Sequence, residues 1–518
     1  MRYPIGRQDF QTLREDGCVY IDKTRLVYEL VQNPYVFLSR PRRFGKSLLL
    51  STIKAYFEGK KELFEGLEIE RLEKDWAPHP VFLISLARVM DNSNQSLRDL
   101  LNQQFFLWEK DLGINNQNPD FGSRFSSILQ ESFRQSGKRA VVLIDEYDNP
   151  LINSLSDSKI HEANLSLLKS IYTNLKDLDA YIRFGMLTGV SRFSKMSIFS
   201  GLNNLTDVSF DPKFAAICGI TENELLNDLS HGIENLAKHL NSSPQEAFYV
   251  LKKHYDGYHF TFPSPDIYNP FSLLSALDAL NISDYWFATA TPTFLIQRLY
   301  ESNVDIPSLL NPEAPSAALS SSDANHDSPV ALLFQTGYLT IKDFDSEWEL
   351  YRLGVPNLEV KKGLMFDMAK IFQKKDEAQS LKLIKQLTLA LRQGEPEIFL
   401  TSLQSYLASI PANITQNKSE LYFENNIYII LSLLGIYIQT ETVISKGRID
   451  IVIQSDKYVY VIELKLDKTP EEALRQINEK EYALPFLHSG KQVFNIGINF
   501  SSEIRNISSW LIQPSKPS

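Results

Sequence analysis

The chain is short of what a secreted or membrane protein requires. It has two cysteines in 518 residues, Cys18 and Cys218, too few for a disulfide framework and without metal-ligand spacing. They read as reduced structural thiols, which fits a cytoplasmic location. The opening residues, Met-Arg-Tyr-Pro-Ile-Gly-Arg, contain no apolar signal core. The longest apolar run covers about residues 427–438, whereas a bilayer-spanning helix needs roughly 20 residues. No membrane partner is expected. A global basic surplus is also missing: 53 Lys and Arg face 63 Asp and Glu. The whole molecule therefore does not advertise nucleic-acid binding by charge. No internal repeat is visible.

What is present is ordinary globular composition, 43% hydrophobic and 22% charged, in a chain long enough for roughly two to four cores. Charge is uneven along it. Residues 1–54 hold ten basic against five acidic residues, and residues 411–518 hold eleven against twelve. The first segment alternates strand and helix patterns: strands at 35–39, 81–86, 140–144 and 181–190, helices at about 46–57, 98–110, 121–136 and 160–176. Such alternation implies a parallel sheet covered on both faces. From about 211 to 300 the pattern turns helical and aromatic. Residues 311–328, rich in Pro, Ala, Ser and Asp, read as a linker or loop. Residues 360–409 read as amphipathic helices, with a clear stripe at 381–391.

Two groups of residues carry chemistry. Arg40-Pro-Arg-Arg-Phe-Gly-Lys-Ser47 resembles a P-loop, in which backbone amides cradle phosphates, a lysine contacts the outer phosphates and a hydroxyl ligates magnesium. Arg40 occupies the first glycine position. A bare Gly-Lys-Ser/Thr arises by chance in roughly one chain in four of this length, so the preceding strand and following helix matter more than the motif. Asp145-Glu146 follows five apolar residues. Read as a nucleotide site, Asp145 holds magnesium and Glu146 polarises the attacking water; read plainly, a strand ends in an acidic turn. At the end of the next strand, Thr188 or Ser191 is a candidate sensor of the terminal phosphate, and Arg192 or Lys195 a candidate cation; an ordinary solvated loop is the alternative.

The second group begins at Glu424, near the start of an apolar helical stretch. Asp450 follows in Lys-Gly-Arg-Ile-Asp, and the run Tyr458-Val-Tyr-Val-Ile462 ends in Glu463-Leu-Lys465. Glu-x-Lys alone is uninformative: about two instances are expected by chance, and Glu58/Lys60 and Glu359/Lys361 also match. Only Glu463/Lys465 ends a strand-like run with an aspartate upstream. The interval from 450 to 463 suits adjacent antiparallel strands joined by a turn near 454–457. Asp450 and Glu463 are hard oxygen ligands for Mg2+. Lys465 would position water or neutralise developing charge. Glu424 would assist a second metal or orient the water. Gln476 and Lys480, four apart on the next expected helix, share a face and are possible auxiliaries. The competing view makes Asp450 a turn residue and Glu463–Lys465 a surface pair.

Together these segments resemble the bacterial AAA-ATPase-like family with a C-terminal PD-(D/E)XK nuclease-superfamily domain. The resemblance is collinear over nearly the whole chain. It adds Pro4-Ile-Gly, Tyr20-Ile-Asp-Lys-Thr24, Leu143-Ile-Asp-Glu-Tyr-Asp148, Leu187-Thr-Gly-Val-Ser-Arg-Phe193, Tyr255-Asp-Gly-Tyr258, Tyr268-Asn-Pro-Phe271, Tyr285-Trp286, Thr291-Pro-Thr-Phe294 and Gln335-Thr-Gly-Tyr-Leu-Thr340 to the motifs above. The family shares the arginine at the first P-loop glycine. The resemblance implies an α/β fold: a P-loop NTPase parallel sheet, a helical or winged-helix-like lid and middle region, and a C-terminal restriction-endonuclease-like domain. The expected division is 1–210 ATPase domain, 211–345 lid, 346–410 helical connector and 411–518 nuclease-like domain.

The combined expectation is a cytoplasmic hydrolase that binds and hydrolyses ATP and cuts nucleic-acid phosphodiester bonds with Mg2+. Arg40, Arg43, Phe44, Gly45, Lys46, Ser47, Asp145 and Arg192 form the ATP site, with Glu146 catalytic. Glu424, Asp450, Glu463 and Lys465 form the cutting site. Metal falls to Ser47 and Asp145 in the first site and to Asp450 and Glu463 in the second. Expected partners are nucleic acid, DNA first, and further copies of the chain. The alternatives are a regulatory nucleotide switch whose nuclease-like domain only binds nucleic acid or a partner, and a nuclease whose ATPase part turns over little because of Arg40.

Overall fold

The computed structural model describes residues 2–89, 94–115, 118–154, 157–191, 205–287, 299–300, 305–320, 329–410, 420–445, 448–487 and 489–515; side chains at 94, 320, 420–424 and 439–450 are outside the described set. The chain divides into two compact units, Met1–Ala290 with Pro312–Glu359, and Thr291–Asn311 with Val360–Ser518.

In the first unit, continuous apolar runs become parallel strands: β1 (Tyr35–Ser39), β2 (Val81–Ser85), β3 (Ala140–Asp145), β4 (Ile182–Gly189) and the short β5 (Thr206–Asp207). Their order is β2-β3-β4-β1-β5, all parallel. Every residue of β3 is buried, as a strand covered on both faces requires. One face packs on the helices Asn94–Asp111, Phe121–Ser136 and Ser158–Asp177 through Phe105, Phe125, Ile128, Leu168 and Tyr172. The helix Lys46–Phe57 follows β1 directly. Because all strands run the same way, the ends of β1, β3 and β4 meet at one edge, where open α/β sheets bind ligands.

A helical segment follows. The helices Glu222–Asp228, Ser230–His239, Pro244–Tyr255 and Pro270–Ala279 close over Leu225, Leu236, Leu251, Tyr255 and Leu273. Capping boxes at Thr221/Glu224 and Ser243/Glu246 start two of them. β6 (Ile220–Thr221) pairs with β7 (Ile267–Tyr268). Part of the expected linker at 311–328 is ordered structure instead. β8 (Glu313–Pro315) joins β9 (Thr340–Asp345) and β10 (Leu350–Gly354) in an antiparallel sheet, and Ser316–Ser320 is helical. Two buried anchors, Ala314 and Leu319, suffice for this, and they are too sparse to show as a periodic stripe; 321–328 lie outside the described residues.

The second unit contains the helices Glu377–Gln393, Pro396–Ala408 and Glu420–Leu434 and a five-stranded sheet. Its strands are β11 (Gln439–Ser445), β12 (Arg448–Gln454), β13 (Tyr458–Leu466), β14 (Gln492–Ser501) and β15 (Asn506–Ser515), in that order. Only β13 and β14 are parallel, and the helix Pro470–Glu479 makes their crossover. The 454–457 turn closes with Ser455 N–H donating to the Tyr458 carbonyl at 2.8 Å. β13 is buried throughout its interior, so its charged residues sit mid-sheet.

Two carboxyls in the first unit are buried deeply enough to make stability depend on pH. Burial pushes Glu359 up to about 7, although its Oε1 accepts from Trp286 N–H at 2.6 Å. Burial also raises Asp256 to about 7. Because the folded state holds these protons more tightly, stability is greatest below the unfolded values and falls as pH rises toward 7. For Glu359 the gap from 4.5 to about 7 is worth about 3 kcal/mol. Thermal melts of Glu359→Gln, whose amide oxygen still accepts from Trp286, should therefore lose less stability than wild type between pH 5 and 7.5. Parallel profiles would contradict this account.

Candidate functional site

The loop between β1 and the Lys46–Phe57 helix is shaped by two residues whose side chains turn away from its mouth. Arg40 is 1% exposed and donates to the carbonyls of Ser39, Ser209 and Phe214 at 2.9, 2.9 and 3.1 Å. Its guanidinium also lies 4.3 Å from the Phe260 ring centre. Phe44 is buried edge-on against Tyr258 and Phe260. Neither side chain lines the adjoining cleft. The arginine at the usual glycine position is thus accommodated by a cage of carbonyls, and Arg40 and Phe44 act as anchors of the loop. Gly45 follows with φ +94, a conformation that suits glycine, and caps the helix.

At the mouth, Lys46 Nζ donates to the Arg40 and Pro41 carbonyls at 2.9 and 3.1 Å. Asp145 accepts from Ser47 Oγ at 2.6 Å on one oxygen and from Thr188 Oγ1 at 2.8 Å on the other. Three elements separated in sequence thus meet on one carboxylate. Ser47 and Asp145 offer hard oxygens side by side, a donor set that fits Mg2+. Glu146, next to them, is held at φ +51. Burial raises its pKa, opposed by the Lys46 charge, which suits a proton acceptor. Thr188 is engaged with Asp145, and Ser191 Oγ donates to Asp148 at 2.6 Å. Arg192 and Lys195 lie outside the described residues. Arg43, at φ +69, stacks its guanidinium 4.7 Å from the Phe271 ring centre.

These groups open on a cleft of about 630 Å³, within the usual range for small-molecule sites. Sequence reasoning missed several of its walls: residues 4–8, Arg42, Asn149 and Phe271. The Pro4-Ile-Gly and Tyr-Asn-Pro-Phe motifs flagged two of these places without giving them a role.

In the second unit, Glu463 is fully buried and Lys465 nearly so. Lys465 Nζ donates to Glu463 Oε1 at 2.7 Å and to Gln476 Oε1 at 2.6 Å. Antiparallel register places Asp450 directly opposite Glu463. Glu424 lies in the Glu420–Leu434 helix. The side chains of Asp450 and Glu424 are outside the described residues, as are any contacts they make. Lys480 is the exposed C-cap of the Pro470–Glu479 helix, and its backbone N–H donates to the Gln476 carbonyl at 3.0 Å.

Gln476 reaches Lys465 because its helix lies close on the sheet. A Cβ at Gly497, the β14 partner of Glu463, would sit 2.3 Å from the Pro470 carbonyl oxygen and 3.0 Å from Leu474 N. Gly497→Ala should therefore push the helix outward and cost about 1–3 kcal/mol, lowering the denaturation midpoint. A variant as stable as wild type would contradict this packing.

Residues 4–199 match the family described as Predicted AAA-ATPase, and residues 418–510 the PD-(D/E)XK nuclease superfamily. A protein of Azotobacter chroococcum mcd 1, described as "Uncharacterized protein in vnfD 5'region", is 34% identical over 523 residues, covering 99% of each chain. Among solved structures, the Aeropyrum pernix ORC2 protein (ADPNP-ADP complexes) aligns with 12% identity and a TM-score of 0.25, over 70% of this chain and 94% of that one.

Proposed function

Because the chain belongs to the predicted AAA-ATPase family and carries a PD-(D/E)XK nuclease-superfamily domain over residues 418–510, we propose that it is an ATP-regulated, Mg2+-dependent nuclease. The work divides between an ATPase domain at 1–210, a lid at 211–345, a connector at 346–410 and a cutting domain at 411–518. The observation that carries the reading is the buried Glu463–Lys465–Gln476 group, with Asp450 across from it in register. A charged pair in the interior of a β-sheet is weak as a stabilising device, because desolvation offsets its attraction. It makes sense as chemistry.

In the ATP site, Lys46 exchanges its loop carbonyls for phosphate oxygens. Ser47 and Asp145 hold Mg2+, which when bound neutralises phosphate charge. Glu146 accepts the proton of the attacking water. In the cutting site, Asp450 and Glu463 hold Mg2+, with Glu424 assisting, and the metal when bound acidifies water. Lys465 orients that water and balances charge, and Gln476 steers Lys465. The substrate is nucleic acid, DNA first, the protein works in the cytoplasm, and copies of the chain associate.

A second reading, a nucleotide switch that binds nucleic acid or a partner without cutting, is favoured by the eleven basic against twelve acidic residues at 411–518. Cleavage assays of the full chain over DNA and RNA substrates with Mg2+, with and without ATP, separate the two. Wild type should cut, and Lys465→Ala should lose about 100-fold or more, the scale of removing one charge-stabilising group. Equal activity in both would exclude the assigned site, and binding without cutting by wild type would favour the switch. Lys46→Ala should weaken ATP binding at least about tenfold, the scale of a charged hydrogen bond, and abolish any effect of ATP on cleavage. A variant that binds ATP as wild type does would remove Lys46 from the site.

A further inference from the structure

The cleft at the phosphate loop is strongly basic. Four basic side chains line it: Arg7, Arg42, Arg43 and Lys46. Arg7 pairs with Asp16, Arg43 lies on Phe271, and Lys46 sits on the loop carbonyls. Among the described residues, the Arg42 guanidinium makes no hydrogen bond or ion pair. It is half-buried at the mouth of the cleft that Lys46, Ser47 and Glu146 also line. Residues 211–287, whose Pro270, Phe271 and Leu274 line the cleft, contain no arginine.

The backbone of Arg42 is fixed by a contact 244 positions along the chain. Its carbonyl accepts from Trp286 Nε1 at 3.0 Å. Trp286, 1% exposed, is itself held by its N–H to the buried Glu359 carboxyl. The loop is thus pinned at Arg42 by its carbonyl while its side chain remains available to a ligand.

We propose that Arg42 is the catalytic cation of ATP hydrolysis, reaching the terminal phosphate from within the phosphate loop itself. This rests on the ATP-site reading above. In the step, the water oxygen bonds to the terminal phosphorus as the bridging P–O bond breaks. The bonding pair leaves on the diphosphate oxygen, and the water proton passes to the Glu146 carboxylate. Negative charge gathers on the bridging and terminal oxygens, where a guanidinium offers paired donors. Supplied within the chain, such a cation needs no neighbouring subunit.

The test uses the full chain with Mg·ATP, ADP and a non-hydrolysable ATP analogue. Arg42→Ala should lower turnover at saturating ATP by about 100-fold or more and leave ADP affinity within about threefold. Arg42→Lys should recover part of the rate. Millimolar guanidinium should accelerate Arg42→Ala and have no such effect on Lys46→Ala, a rescue that a structural role would not produce. Turnover of Arg42→Ala within about threefold of wild type, or equal loss of ADP and analogue affinity, would overturn the assignment. If wild type binds ATP without turning it over, the binding arm decides: Arg42→Ala must weaken the analogue at least about tenfold more than ADP, and equal weakening rejects the proposal. Wild type that binds neither nucleotide would overturn the ATP-site reading and this proposal with it, whereas normal wild-type binding with an indifferent Arg42 rejects only this proposal.

Discussion

The first unit is organised around one buried carboxylate. Asp145 stands at the end of a wholly buried strand, where an ionised group is costly unless its oxygens are hydrogen-bonded. Both oxygens are satisfied, one by Ser47 and one by Thr188. Those two hydroxyls come from the first turn of the loop helix and the end of β4. Meeting them fixes how far the helix stands from the sheet and how β3 and β4 align. The order β3-β4-β1 then places the phosphate loop one strand away from the acidic pair. The same arrangement that makes Asp145 tolerable gathers the groups a nucleotide requires.

The loop itself solves a different problem. A glycine-rich phosphate loop gains its shape from permissive backbone, which costs entropy on ordering. Here the shape is imposed by side chains: Arg40 caged by three carbonyls, Phe44 seated among Tyr258 and Phe260, and Arg42 tied by its carbonyl to Trp286. The helical segment supplies those aromatic rings, so the loop and the segment over it are built as one piece. Any rearrangement of the loop on binding phosphate must disturb contacts with Tyr258, Phe260 and Trp286.

Much of this framework was legible in the sequence, for identifiable reasons. The strand at 35–39 and the helix at 46–57 coincide with the structure, because strands buried on both faces are unbroken apolar runs and the Gly45 cap marks a sharp boundary. The turn at 454–457 set the register that puts Asp450 opposite Glu463, since a short hairpin leaves little freedom in pairing. Other features depend on contacts that no local pattern encodes. The inward turn of Arg40 requires carbonyls at 209 and 214. The place of residues 4–8 appears only once the chain returns at Pro270, Phe271 and Leu274 to line the same cleft.

The second unit meets the cost of buried charge by another route. Glu463 and Lys465 face the same way from a strand buried through its interior, and alternation makes that unavoidable for residues two apart. An apolar pair would be easier to accommodate there. Instead, the neighbouring strand carries a glycine, so that the crossover helix approaches closely enough for Gln476 to accept a hydrogen bond from the lysine. The ammonium is therefore held by two acceptors at a defined point above the sheet, next to the register position of Asp450. An arrangement serving stability alone would not need a lysine held in place, a glycine to admit the helix and a glutamine to complete the contact. Three dependent features on three elements, each costly without the others, are what a positioned ammonium requires, and positioning is the common demand of phosphodiester chemistry.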